Sequence, residues 1–147
     1  MRNRNNRVST YDNEIYPIRL IVSDTSHISI LKKNYRELSI IDYSTYELAD
    51  AGGGSLAETR SVLDCSRNQE VNGVLVLLSK EVLDNIEENA EIVAHEAVHV
   101  ADLIFESIGA ATGCFSDGNE PYAYLVQWTA KNIFDHIKRI NKEDEKQ

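Results

Sequence analysis

The stretch IEENAEIVAHEAVHVADLIFESIG, residues 86–109, decides how the chain is read. Val93, Ala97, Val100, Ile104 and Ile108 recur at spacings of four, three, four and four, which is one face of a helix turning about 100° per residue. The pattern predicts a helix over Ile86–Ile108, stopped by Gly109. Glu88, Glu91, His95, His99, Asp102 and Glu106 form a polar stripe away from that apolar face.

Towards the N-terminus, Ser79 can cap a short helical turn leading into this helix. Before it, Val71–Leu78 contains the apolar run Val74-Leu75-Val76-Leu77-Leu78, expected as a strand buried on both faces or at a core edge. Further strands are expected at Ile15–Val22, where Pro17 favours an edge or a strand start, and at Leu38–Tyr46 and Glu58–Leu63. The Asp50–Ser55 loop holds Gly52, Gly53 and Gly54 but no following Lys-Ser/Thr, so it reads as a turn and not a phosphate cradle. Towards the C-terminus, a loop over Ala110–Gly118 precedes a helix that opens at Pro121 and runs to Ile140, with Ala123, Val126, Ala130, Ile133, Ile137 and Ile140 as its inner stripe. Strand-rich segments followed by two long helices predict an α+β domain.

The chain has 147 residues, matching one domain at about 150 residues each. Flexible ends are expected at residues 1–10 and 141–147, leaving a folded domain over 11–140. Fifteen Lys and Arg against 24 Asp and Glu give a net charge of −9, unfavourable for a phosphate backbone, so no nucleic-acid partner is expected. Cys65 and Cys114 lack C-x-x-C spacing and are expected as free, buried thiols. The arginines of Met1–Arg7 precede no apolar leader segment, and no stretch reaches the ~18 apolar residues of a membrane span. A cytoplasmic protein without a membrane partner is the expectation.

Chemistry concentrates at His95-Glu96-Ala97-Val98-His99, an H-E-x-x-H motif. The i, i+4 spacing puts two imidazoles one turn apart, able to converge on one Zn²⁺. Glu96 lies about 100° around from His95, suited to a general base acting on water. Extending the second helix's apolar stripe back from Ala123 reaches Glu120, the expected third metal ligand, with an ordinary capping acid as the alternative. Asp102 is the rival ligand or a group orienting an imidazole. Glu91 and Glu106 are expected in solvent, and His27 and His136 as ordinary histidines. Tyr122 and Tyr124 offer either a phenol to stabilise an oxyanion or packing surface with a wet tip.

At these residues the chain resembles the zincin superfamily of metallopeptidases in its gluzincin-like arrangement, His95-Glu96-x-x-His99 on one helix and a glutamate on the next. Glu120-x-x-Ala123 looks like the third-ligand segment of small minimal zincins, including bacterial and mobile-element domains that cleave repressor proteins. His99 is followed by Val100-Ala101-Asp102 and not by the Gly-x-x-His or Gly-x-x-Asp of metzincin-type sites, which points to a distant third ligand. The resemblance, covering roughly Val71–Ile140, implies a small mixed sheet packed against the motif helix and a C-terminal helix. It also implies an edge strand that binds an extended peptide by strand addition, with Val74–Leu78 best placed for it. The activity implied is zinc-dependent peptide hydrolysis of a protein or peptide substrate, with Glu96 catalytic and His95, His99 and Glu120 on the metal. A zinc-holding but non-hydrolytic binding module and a metal-free structural domain are the rival readings.

Overall fold

A computed structural model describes residues 7–51 and 53–147. Six strands form one mixed sheet: β1 (Ser9–Asp12), β2 (Arg19–Asp24), β3 (Tyr35–Leu38), β4 (Thr45–Glu47), β5 (Ala57–Asp64) and β6 (Val71–Leu78). Their order across the sheet is β1-β2-β6-β5-β3-β4, with β2 and β6 parallel and every other neighbouring pair antiparallel. The helices are α1 (Ile28–Leu31), α2 (Lys80–Asp84), α3 (Ala90–Ser107) and α4 (Glu120–Asp144). The α+β class expected from the sequence is the observed one.

β6 explains the sheet. Leu20, Val22, Val74, Val76 and Leu78 point to one face, where they pack with Val93, Val100, Ile104, Leu125, Ile133 and Ile137 of α3 and α4. Ile21, Val62, Leu75 and Leu77 point to the other, against Leu31, Tyr35 and Leu48. Burial on both faces calls for an unbroken apolar run, as at residues 74–78 and 20–22. Each such side chain contributes about 1.5–3 kcal/mol when fully buried. Gly73 is small because β2 crowds it: a Cβ there would stand 2.6 Å from Ile21 Cδ1 and 3.0 Å from the Arg19 carbonyl.

Several boundaries differ from the sequence reading for local reasons. The strand expected from Ile15 starts at Arg19, because the Asn13 side chain accepts hydrogen bonds from the Ile15 and Tyr16 amides (2.9 and 3.0 Å) and holds a turn there. The strand expected over Leu38–Tyr46 is two strands joined by a turn, in which Asp42 accepts from the Ser44 amide and hydroxyl and Tyr43 has φ +58°. β1 was not expected, since Ser9-Thr10-Tyr11-Asp12 is mostly polar. The motif helix begins at Ala90, four residues late, because Asn89 Nδ2 donates to the Asn85 carbonyl in a separate turn. Ser79 does cap α2, its hydroxyl accepting from the Val82 amide, and Gly109 ends α3 with φ +69°. Elements extend to Ser9 and Asp144, past the expected limits of 11 and 140; the expected behaviour of residues 1–6, and Gly52 of the glycine loop, lie outside the described residues. Both cysteines are free, but Cys65 is only half-buried and Cys114 is exposed in the loop before α4. No helix among the described residues is long and apolar enough to cross a membrane.

Candidate metal centre

α3 lies on the sheet with Val93, Ala97, Val100, Ala101 and Ile104 beneath it. The expected polar stripe is therefore outward: Glu88, Glu91, His95, His99, Asp102 and Glu106 are all exposed. One turn of helix brings the two imidazoles together, His95 Nε2 to His99 Nε2 at 3.0 Å, ring centroids 4.7 Å apart and planes at 79°. Two nitrogens of neutral imidazoles at this separation repel unless a proton or a cation lies between them, so the pair fits two corners of a zinc site.

Glu96 turns the other way, towards the sheet, and is 5% exposed. Its carboxylate accepts a hydrogen bond from the Thr59 hydroxyl on β5. Thr59 is the residue that sequence reasoning missed, because a contact between positions 37 apart leaves no local pattern. The histidines, Glu96, Asp102 and residues 57–60 of β5 line one hollow of about 570 Å³, and a smaller hollow of about 420 Å³ continues past Glu91 and Ile92 to Ser55.

β6 cannot serve as the peptide-binding edge expected for Val74–Leu78, because β2 and β5 flank it along its length. The open strand edge beside the histidines is on β5. β3 pairs with β5 only at Val62, Leu63 and Asp64, so residues 57–61, beside the histidines, have a strand neighbour on the β6 side alone among the described residues. Arg60 projects from this stretch, paired with Glu37 and Glu58, and donates to the Ala49 and Asp50 carbonyls.

Among the described residues, no group of three or more His, Cys, Asp or Glu is placed to share a metal ion. Glu120 is exposed at the head of α4 and lines a different hollow, with Asp12–Tyr16 and Trp128. The inner face of α4 is not the expected stripe: Leu125, Thr129, Asn132, Ile133, His136, Ile137 and Ile140 are buried, whereas Ala123 is exposed. Extending the observed face backwards reaches Tyr122, not Glu120. The Tyr122 hydroxyl donates to Asp102 Oδ1 (2.6 Å), and its ring packs edge-on against Phe105 with centroids 5.4 Å apart. Desolvation, with the Asp102 hydrogen bond, pushes this phenol up to about 12, so it remains a proton donor at neutral pH. Asp102 therefore orients a tyrosine and not an imidazole. Tyr124 is 64% exposed and belongs to the Glu120 hollow.

The other two histidines sit apart from the pair. His27 bonds Asp24 Oδ1 at 3.1 Å, beside the Arg7–Asp24 ion pair. His136 is fully buried on α4, its Nδ1 2.7 Å from the Ser9 hydroxyl of β1, and its Nε2 has no hydrogen-bond partner among the described residues. Burial, aided by the nearby Arg139 charge, depresses its pKa to about 4, so the ring is neutral at physiological pH. The chain matches no protein-family model, no curated protein and no solved structure.

Proposed function

We propose that the protein is a zinc-dependent peptidase of minimal zincin type. The observation that carries the reading is the meeting of His95 and His99 Nε2 at 3.0 Å with the buried Glu96 between them in sequence. His95 and His99 would hold the metal, and when bound it would lower the pKa of a coordinated water towards about 7. The third ligand would be Asp102, which lines the same hollow; Glu120, the ligand expected from the sequence, lines a different one and would have to be brought across to the histidines. Glu96 accepts the proton of the attacking water and returns it to the leaving amine, while the Thr59 hydroxyl fixes its rotamer. An extended peptide substrate would add as a strand to residues 57–61 of β5, beside the histidines.

The test is hydrolysis of a fluorogenic peptide library by zinc-loaded protein. Glu96→Gln should keep the zinc and lose the cleavage; cleavage that survives in this variant would overturn the reading. Zinc affinities of Asp102→Asn and Glu120→Gln then assign the third ligand. A zinc-holding, non-hydrolytic module for a protein partner is the second reading, favoured because only two donors are brought together among the described residues. It predicts zinc bound with no cleavage in any arm.

A further inference from the structure

A hollow at the head of α4 is larger than either one beside the histidines, at about 760 Å³, within the range of about 300–1,000 Å³ usual for ligand sites. Its apolar wall comes from Ile15, Tyr16, Pro121, Tyr124, Leu125 and Trp128. Two of these stand largely in water, Ile15 at 81% and Tyr124 at 64% exposure.

The charges at this hollow have one sign. Asp12 is neutralised by Arg19, whose Nε stands 2.6 Å away. Glu14 and Glu120 are exposed, and neither forms an ion pair with a described residue. Glu120 also offsets the partial positive charge of the α4 N-terminus, leaving Glu14 unbalanced. Carboxylates beside Tyr16, Tyr124 and Trp128 suit an ammonium or guanidinium group, because aromatic faces attract cations as well as apolar chains. The site is held in shape without a ligand: Asn13 pins the Ile15 and Tyr16 amides, and the Tyr16 ring packs edge-on against Phe105 with centroids 6.1 Å apart.

We propose that this hollow docks an extended basic peptide, in which apolar side chains alternate with Lys or Arg. A peptide suits it better than a small cation because the hollow opens at the end of β1, the outermost strand, whose far edge has no strand partner among the described residues. A second copy of the chain is a poor occupant, since two molecules of net charge −9 repel. The proposal does not rest on the metal reading.

Trp128 is the only tryptophan of the chain, so its emission reports on this hollow directly. The full chain, with a chelator present, is titrated with a short amidated peptide alternating leucine and lysine. Counterparts carrying glutamate for lysine, or serine for leucine, serve as controls. The expected result is a saturable emission shift with the leucine–lysine peptide and affinity about tenfold lower for each counterpart. Glu14→Gln should weaken binding about threefold, with a smaller effect in high salt. Tyr124→Ala should weaken it about fivefold, whatever the salt. The proposal is overturned by an emission that no peptide moves or by equal response to the glutamate counterpart. It also fails if Tyr124→Ala binds as wild type, the signature of diffuse attraction to an acidic surface, or if emission shifts with protein concentration alone, the signature of self-association.

Discussion

His95 and His99 stand exposed one turn apart on α3, their Nε2 atoms facing each other, whereas His136 lies on α4 with no surface in solvent and its Nε2 without a hydrogen-bond partner among the described residues. The first arrangement needs only a helix and a four-residue spacing. The second needs β1, β2 and α4 brought together from opposite ends of the chain, with the Ser9 hydroxyl as the ring's partner across 127 positions. The contrast separates two uses of one side chain: an open pair free to take a cation, and a buried ring whose cost is tolerated because it is neutral. The first is the one proposed for chemistry, the second serves the fold, and each can be perturbed without the other.

The largest expected effect is on the open side. Glu96→Gln should cut peptide hydrolysis by roughly 10²–10⁴-fold, the usual worth of a positioned general base, with thermal stability little changed. Turnover and a melting curve on the same sample check both halves.

Next comes the pH response of the buried ring. The unfolded chain protonates His136 near the ordinary value of 6.5, the folded one only near 4. Between these values the unfolded state binds more protons, so stability rises with pH across that window and is lost as pH falls from 6.5 towards 4. The loss should be on the order of 3 kcal/mol. Urea unfolding at a series of pH values, repeated with His136→Gln, should show the slope shrink in the variant.

Ser9→Ala should follow, costing about 1–2 kcal/mol by leaving Nδ1 of a buried ring without its partner. Smallest of all, His95→Ala and His99→Ala should each shift the unfolding free energy of the metal-free protein by no more than about 0.5 kcal/mol, since both side chains are exposed. A large loss in either would mean that the pair is structural and the contrast false.

The same division explains what could be read from the sequence. Features set by short spacing were legible: β6 at Val71–Leu78, the Ser79 cap, the Gly109 stop, the outward stripe carrying His95 and His99. Features set by distant partners were not. The α4 stripe was misassigned because Thr129, Asn132 and His136 are buried polar residues, which a hydrophobic pattern assigns to the solvent side. Choosing Ala123 over Leu125 rotated the expected inner face, and with it the expected place of Glu120. An open strand edge was expected at Val74–Leu78, but hydrophobicity reports burial and not which strands lie alongside; β3 leaving β5 open at residues 57–61 is a matter of register. The Thr59–Glu96 hydrogen bond likewise joins two elements whose adjacency only the fold creates.

The proposal stands or falls on whether the imidazoles of α3 form a metal site. Calorimetric titration of zinc into metal-free wild-type protein and into His99→Ala tests it most directly. Saturation at about one zinc per chain is expected in the wild type, with binding abolished or weakened by orders of magnitude in the variant. Zinc that fails to bind the wild type, or that binds His99→Ala equally well, would contradict it.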